Sequence, residues 1–397
     1  MVSRANDELR TALETHLARW GLKRFTADAA YFAWQRETLS VDDLHRLRTH
    51  VERKRSGDRG GDLAFYDLTA QPQILPVLYS QQYEYFTAIG PRVASRVGDA
   101  RSILDFGCGV GILTCFYAER FPDRTVVGID RSPLSIARAK EQAKVLGLQH
   151  VQFECLDLTQ NHLPGTYDLI VTTHALVQSE QDPGLPSRTW MTFDRANDPQ
   201  LQKGFETRTG VGLRLDCLSN ALVQDGRMVV FEKTRQLSRR VPFQRGLAAR
   251  GLALLERPEP IRYRLVEEVT DDGPLYVLGS RTNGSIEWDE SPEPDDGPPF
   301  DPSVLTREQA GGDEPLYENH SPSAQEAWSK LRRRTVRKET TRSEPDGRQM
   351  HVEIGHATEG LYLYCANTFD QRQLVVVDPP RGELLEVYYR EILDGTS

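Results

Sequence analysis

The pattern of apolar positions changes near residue 100. Before that point, apolar residues recur every three or four positions, as Leu9, Leu13 and Leu17 do, which predicts helices over residues 3–56 and 62–98. Beyond it, short apolar runs alternate with helical patterns. This alternation is typical of a parallel sheet covered by helices on both faces.

Seven strands are predicted in the second region. They cover residues 102–106, 125–130, 151–155, 167–173, 227–233, 262–269 and 275–280. The intervening helices cover about 110–120, 132–147, 212–224 and 243–255. Thr270–Gly273, between the last two strands, is a turn signal and predicts an antiparallel hairpin. The expected fold is α/β, with a doubly wound seven-stranded sheet that ends in this hairpin.

The last third of the chain has a different composition. Residues 281–323 are rich in Pro, Gly, Asp and Glu and carry eleven acidic residues against two basic ones. We expect an acidic linker there, because such a composition buries little apolar surface. A small α+β module is predicted beyond it, with its elements at 324–340 (helix), 349–354, 360–365 and 372–377 (strands) and 382–394 (helix).

These patterns predict four regions. They are a helical N-terminal lid region (1–98), the α/β domain (99–280), the acidic linker (281–323) and the C-terminal module (324–397). The linker alone accounts for the net charge of −9, so the rest of the chain is near neutral and we do not expect a nucleic-acid partner.

The composition argues against several other classes of protein and of site. No apolar run is long enough to span a membrane, and the N-terminus lacks the apolar stretch of a secretory signal. The five cysteines are scattered without a C-x-x-C pair, which argues against a zinc site, any other metal site or a disulfide framework. We therefore expect a cytoplasmic protein without a metal.

A glycine-rich turn follows the first predicted strand, in the segment Asp105-Phe106-Gly107-Cys108-Gly109-Val110-Gly111. Such a turn lets backbone N–H groups approach a ligand at the start of a helix. The dinucleotide form G-x-G-x-x-G/A fails in both registers, because Ile112 and Thr114 occupy its last position. The remaining pattern is a carboxylate followed by Gly-x-Gly-x-Gly.

Residues 101–233 resemble the class I S-adenosylmethionine-dependent methyltransferases. The segment from Asp105 to Gly111 resembles that family's first motif, and Asp130 and Asp157 match its acidic residues after the second and third strands. Residues 167–171 and 222–229 resemble the fourth strand and the turn into the fifth. The resemblance implies a Rossmann-like methyltransferase with S-adenosyl-L-methionine as its cofactor.

The resemblance also implies roles for single residues. The glycine loop would hold the methionine part of the cofactor, Asp105 its ammonium group, Asp130 the ribose hydroxyls and Asp157 the adenine amino group, with the Leu158 N–H facing a ring nitrogen. The complete expected cofactor set is Asp105, Gly107, Cys108, Gly109, Gly111, Asp130, Arg131, Asp157, Leu158 and Thr172.

His174 follows the fourth predicted strand, at the sheet edge where ligands gather. It is the candidate general base for a methyl acceptor that carries a proton. The alternative is a histidine that only packs there or caps the next helix. The segment Thr172-Thr173-His174-Ala175 lacks the Asn/Asp-Pro-Pro-Tyr/Phe motif of nucleic-acid amino methyltransferases.

Two further regions are candidates for the acceptor pocket. The long insert 176–211, which contains Trp190, is expected to form one wall. Four tyrosines of the N-terminal helices are expected to form a lid, unless they only pack at helical spacing: Tyr66, Tyr79, Tyr83 and Tyr85. Five arginines of a second insert, 234–256, either bind an anionic substrate or form a solvated helix face: Arg235, Arg239, Arg240, Arg245 and Arg250.

The sequence favours a methyltransferase that acts on an O or N atom of a small metabolite. Two alternatives remain. One is methylation of RNA or protein with the C-terminal module presenting the substrate, since residues 330–338 are strongly basic. The other is a protein that binds the cofactor without catalysis.

Overall fold

The N-terminal region is helical, as its apolar spacing predicts. Its helices are α1 (Val2–Arg19), α2 (Asp28–Thr38), α3 (Val41–Arg55), α4 (Gly61–Thr69), α5 (Leu75–Ser80) and α6 (Tyr83–Ala94). Leu13 and Leu17 of α1 are fully buried and share a core with Ile89 and Val93 of α6. This packing supports α6, which brings aromatic side chains to the site described below.

Five parallel strands form the centre of the main sheet. They are β1 (Ser102–Phe106), β2 (Thr125–Asp130), β3 (Val151–Cys155), β4 (Tyr167–Thr173) and β5 (Leu222–Phe231), in the order β3-β2-β1-β4-β5. The strand order reverses between β1 and β4, so the connections that follow these two strands run in opposite directions. They leave a crevice at the carboxyl ends of β1 and β4. Ligands of open α/β sheets bind in such a crevice.

The main sheet ends in antiparallel strands, as expected. They are β6 (Leu252–Leu254), β7 (Glu259–Leu265) and β8 (Glu268–Ser280). The long strand β8 pairs antiparallel with β5, β6 and β7. The predicted fold class is therefore confirmed, although β6 makes an eighth strand in this sheet.

The hairpin reverses direction earlier than predicted. β7 ends at Leu265 and β8 begins at Glu268, so Thr270–Gly273 lies inside β8 rather than at the turn. The register shifts there, because Ile261 pairs with Gly273 whereas Arg262 pairs with Asp271. Asp272 is thus the extra residue of a β-bulge, and bulges re-aim side chains.

The helices described between β1 and β6 are α7 (Ile112–Arg120), α8 (Pro133–Val145), α9 (Pro199–Thr209), α10 (Val211–Ala221) and α11 (Leu237–Ala248). The prediction of one helix over 243–255 was wrong at its end. Gly251 has a positive φ of 74°, which ends the helical path, and Leu252–Leu254 then pairs with β8 as β6.

The computed structural model describes residues 2–55, 61–158, 162–177, 182–266, 268–280, 286–303, 305, 314–345 and 347–395. The chain forms two compact units. Unit 1 comprises residues 1–182, 203–235 and 243–288, and unit 2 comprises residues 183–202, 236–242 and 289–397. Neither unit is one continuous stretch of chain, so this division differs from the four consecutive regions that the composition predicts.

Unit 2 is built on a five-stranded antiparallel sheet. Its elements are β9 (Tyr317–Asn319), α12 (Ala324–Lys330), β10 (Thr335–Ser343), β11 (Gln349–Ala357), β12 (Gly360–Asn367), β13 (Arg372–Val377), a 3₁₀ turn (Pro379–Arg381) and α13 (Gly382–Asp394). The strand order is β10-β11-β12-β13-β9. Leu385 and Tyr389 of α13 pack against Leu363 and Val375 of the sheet.

One expectation for unit 2 was wrong. The helix predicted over 324–340 ends at Lys330, and Thr335–Ser343 forms β10 instead, because its β-branched residues pair with β11. Within the segment expected to be an acidic linker, Tyr317 pairs with Val376 in the sheet, and Asp295 accepts hydrogen bonds from the backbone and hydroxyl of Ser323. Among the described helices, none is long and apolar enough to cross a membrane.

A substitution of Gly128 in β2 tests how tightly the centre of the main sheet is packed. A Cβ at Gly128 would lie 2.7 Å from the Phe153 ring and 3.0 Å from Cys108 Sγ. We expect Gly128→Ala to destabilise the protein by about 1–3 kcal/mol through overpacking. The matched control is Gly204→Ala in α9, where the new Cβ would meet, among the residues described, just the flexible end of Arg208 at 3.3 Å. Urea denaturation should show the loss in Gly128→Ala alone, and equal stability of the two variants would contradict it.

Candidate functional site

A cavity of about 460 Å³ opens at the carboxyl ends of the parallel strands of unit 1. The parallel register brings these ends together, since Phe106 of β1 lies beside Ile129 of β2 and Thr172 of β4. Ligand pockets are commonly of this size. The lining includes Asp105, Gly107, Cys108, Gly109, Asp130, Arg131, Asp157, Leu158, His174, Arg214 and Lys233.

The glycine loop between β1 and α7 forms the floor of the cavity. Gly107 and Gly109 have positive φ values of 78° and 53°, which side-chain-bearing residues rarely adopt. The backbone N–H groups of Gly107 and Cys108 both donate to the carbonyl of Ile129, at 2.8 and 3.0 Å. Among the described residues, the nearest atom to a Cβ at Gly109 would be the Tyr79 hydroxyl, at 3.8 Å, so the cavity reaches the backbone there.

Asp130, at the end of β2, is bonded to the glycine loop. Its Oδ2 accepts the N–H of Gly109 at 2.9 Å, and its Oδ1 accepts the N–H of Ser132 at 2.8 Å. Burial raises the pKa of this carboxyl group, and the two backbone hydrogen bonds oppose the rise. Each carboxylate oxygen retains accepting capacity for a ligand hydroxyl.

Asp105, at the end of β1, is a buried carboxylate in the cavity wall. Its side chain accepts a hydrogen bond from the Thr114 hydroxyl at 2.5 Å. Burial raises its pKa to about 6, against the effect of that hydrogen bond. No ion pair to Asp105 occurs among the described residues, so a cationic ligand group would stabilise its charged form.

Two residues of the expected cofactor set do not line the cavity. Thr172 is fully buried with its hydroxyl 3.4 Å from Glu232, because alternate side chains of β4 point to opposite faces and Thr173 is the one that reaches the cavity. Gly111 instead allows close packing, since a Cβ there would lie 2.8 Å from the Phe153 ring. The other expected residues lie in the lining.

His174 lines the cavity directly after β4. Its backbone has a positive φ of 55°, and its N–H donates to the carbonyl of Phe231 at 2.9 Å. Its ring stacks on Tyr85, with 5.1 Å between centroids, and lies 5.2 Å from the ring of Phe231. His174 Nε2 lies 3.1 Å from Asp272 Oδ2. The histidine is therefore packed and at the same time open to the cavity, with 25% of its side chain exposed.

Two carboxylates that lie beside His174 were not predicted from the sequence. Glu232 follows β5, is fully buried and accepts the backbone N–H groups of Ala175, Leu176 and Val177 at 2.9–3.2 Å. Burial raises the pKa of Glu232, while the nearby His174 and these hydrogen bonds lower it. The sequence offers a weak signal for it, a charged residue that directly follows a buried strand.

Asp272 is the second of these carboxylates. Burial raises its pKa, but the contacts with His174 and the Tyr263 hydroxyl outweigh burial, and the net pKa is lowered. Asp272 therefore stays ionised at neutral pH. No local signal identifies it, because its sequence context resembles an exposed turn.

The expected pocket walls are correct in part. Tyr66, Tyr79 and Tyr85 line the cavity, whereas Tyr83 does not. Val177 lines it at one end of the long insert, but residues 183–202 belong to unit 2, where Trp190 stacks on His351 with 3.8 Å between ring centroids.

The arginines of the second insert do not line the cavity. Arg240 is buried in unit 2 and pairs with Glu293, and Arg250 in unit 1 pairs with Glu206 and Asp216. These ion pairs favour a structural role over substrate binding.

Comparison with known proteins identifies the central part of the chain. Residues 103–186 match a family model described as a methyltransferase domain. A malonyl-[acyl-carrier protein] O-methyltransferase from Acetivibrio thermocellus is 31% identical over 118 residues, 26% of this chain and 40% of that protein. A trans-aconitate 2-methyltransferase from Deinococcus radiodurans is 36% identical over 88 residues, 22% of this chain and 32% of that protein. The chain spans less than half the length of either relative.

The matched residues form a methyltransferase domain. A solved structure of mitomycin 7-O-methyltransferase MmcR is similar in fold, with 17% identity, a TM-score of 0.38 and coverage of 60% of this chain and 67% of that one. The cofactor of this family is S-adenosylmethionine, and the lining of the cavity fits its chemistry. Asp105 offers a buried carboxylate to an ammonium group, and Gly109 leaves the backbone accessible.

The raised pKa of Asp105 predicts a pH dependence for cofactor binding. A ligand ammonium favours the ionised carboxylate, so affinity should rise with pH through about 6 and fall below it, by at most about tenfold per pH unit. The experiment is a calorimetric titration of the full-length chain with S-adenosylhomocysteine at about pH 5 and pH 7.5. Asp105→Asn should bind weakly and lose most of this dependence. A wild-type affinity that does not change between these pH values would contradict the role of Asp105.

Proposed function

We propose that this protein is an S-adenosylmethionine-dependent methyltransferase that transfers a methyl group to an O or N atom of a small molecule. The proposal rests mainly on one observation: a single cavity holds the glycine loop with Asp105 and Asp130 and also His174 in contact with Asp272. The first set suits the cofactor, and the second suits an acceptor that must lose a proton.

The residues of the cavity would act in three ways. Asp105, Asp130 and Asp157 would hold the cofactor, which when bound supplies a methyl group already activated on a sulfonium. Aromatic side chains of α4–α6 would exclude water and orient the acceptor. His174 would take the acceptor's proton as the new bond to carbon forms.

The small-molecule acceptor is supported by the cavity and by one relative. The cavity is lined by aromatic rings, including Phe65, Tyr66 and Tyr85, which suits a compact organic acceptor. The relative from Deinococcus radiodurans is named as a trans-aconitate 2-methyltransferase, which agrees with a small-molecule acceptor.

Replacing His174 tests the assignment of the general base. We expect His174→Ala to lower kcat by roughly 10²–10⁴-fold, the usual contribution of a general base, while the Kd for S-adenosylhomocysteine stays within about twofold. The assay is methyl transfer from labelled S-adenosylmethionine to a metabolite panel, paired with calorimetry. The control is His162→Ala, an exposed histidine outside the cavity lining.

Two results would contradict the proposal at different levels. Unchanged turnover in His174→Ala would remove the role of the histidine. A flat titration of the wild-type protein with S-adenosylhomocysteine would remove the proposed function itself.

A further inference from the structure

The sheet of unit 2 ends in an exposed strand. β10 is the terminal strand of the order β10-β11-β12-β13-β9, and eight of its nine residues are exposed. Among the described strands, β11 alone pairs with it. The other terminal strand, β9, has three residues and is too short to receive a long partner. The backbone N–H and C=O groups along the outer side of β10 can therefore pair with a further strand.

An exposed edge is often protected by a β-bulge and by charged side chains. In β10 the bulge lies near the start of the strand. The register shifts between Val336 and Lys338, so Arg337 is the extra residue of the bulge. From Lys338 to Ser343 the pairing with β11 is regular. These six residues form an unbroken stretch that can receive another strand.

The two cations of this regular stretch are directed toward α13. Lys338 Nζ lies 4.1 Å from the centroid of the Tyr389 ring and 3.5 Å from a carboxylate oxygen of Glu386. Arg342 donates to the carbonyl of Leu393 at 2.8 Å. Both side chains therefore lie over the helix and leave the backbone of the edge accessible.

Positive charge gathers at the start of β10. Residues 330–338 include six basic residues and no acidic one. Arg332 pairs with Glu359, whereas Arg333 and Arg337 are exposed and have no ion pair with any residue that the structure describes. Charge of one sign opposes the pairing of two identical edges from two copies of the chain. It attracts an acidic segment instead.

We propose that β10 is a docking edge for an extended acidic segment of a partner protein, which adds to the sheet as a further strand. The sheet is antiparallel throughout its described pairings. An antiparallel addition brings the carboxyl end of the added segment to the start of β10. The segment then pairs its backbone with residues 338–343 and places the acidic residues that follow near Arg333 and Arg337. This docking concerns unit 2 and does not depend on the proposed methyl transfer.

A peptide fits this edge better than a single-stranded nucleic acid does. Strand addition supplies main-chain hydrogen bonds along six residues, and a nucleic acid has no regular N–H and C=O groups to make them. Proteins that bind single strands combine cations with aromatic rings on which the bases stack. Trp328, which contacts this basic segment, is already stacked: Arg334 lies 3.7 Å from its ring centroid and the Tyr364 ring 4.5 Å from it.

Synthetic peptides test the docking on the full chain. The probe has six alternating valine and threonine residues followed by three glutamates. One control ends in three lysines, and another has two adjacent prolines in the middle of the paired stretch, which remove an N–H donor in either register. Fluorescence anisotropy should show binding of the probe and at least about tenfold weaker binding of both controls. Equal binding of the proline peptide would overturn strand addition, and no binding of the probe would overturn the docking edge.

Charge reversal at the bulge tests the ionic contribution. Arg337→Glu should weaken binding of the acidic probe at least about fivefold, since an exposed ion pair contributes up to about fivefold and reversal adds repulsion. The same variant should bind the lysine-ended peptide better than the wild-type protein does. The matched control is Arg390→Glu, an exposed arginine of α13, which changes the net charge equally and should bind as the wild-type protein. Equal effects of the two substitutions would contradict a specific site at β10.

Amide hydrogen exchange separates strand addition from ionic attachment. A saturating amount of the acidic probe should slow exchange at alternate residues of 338–343, whose N–H groups point away from β11, and leave β12 unchanged. Binding without this protection would overturn the added strand. Oligouridylate serves as the competing class of ligand. If it bound the wild-type chain more tightly than the probe at the same ionic strength and displaced it, the acidic peptide would be excluded as the partner.

Discussion

The parallel register of β1 with β2 and β4 is the constraint on which the site depends. It places Asp105, Asp130 and Thr173 at neighbouring strand ends, although these residues are far apart along the chain. The glycine loop can then lie across the ends of β1 and β2, because the Ile129 carbonyl accepts two of its N–H groups. A shift of one residue in either pairing would turn these side chains to the opposite face of the sheet.

The site buries several carboxylates, and each is stabilised differently. Glu232 accepts three backbone N–H groups and so fixes the segment that follows His174. Asp272 is stabilised by His174 and Tyr263. Asp105 has only the Thr114 hydroxyl among the bonds that lower its pKa. Burial of a charge is costly without such partners, so Asp105 is the carboxylate that gains most from a cationic ligand.

Unit 2 has a polar cluster of its own. Glu339, His351 and Glu353 offer ligand atoms within 4.8 Å of one another. Trp328 and Tyr362 both donate to Glu353 Oε1, and His351 lies 3.1 Å from its other oxygen. These contacts satisfy the buried carboxylate, and buried polar groups in folded proteins normally have such partners. The cluster is therefore explained as a hydrogen-bond network that supports the sheet of unit 2.

The sequence by itself determined the parallel strands, the glycine loop and the carboxylates at Asp105 and Asp130, because apolar runs, glycines and strand-end residues are local signals. Only the tertiary structure decided that Thr172 faces away from the cavity, that residues 183–202 belong to unit 2 and that Asp272 contacts His174. These features depend on which strands pair and in what register. A β-bulge, which has no reliable local signature, then re-aims a single side chain.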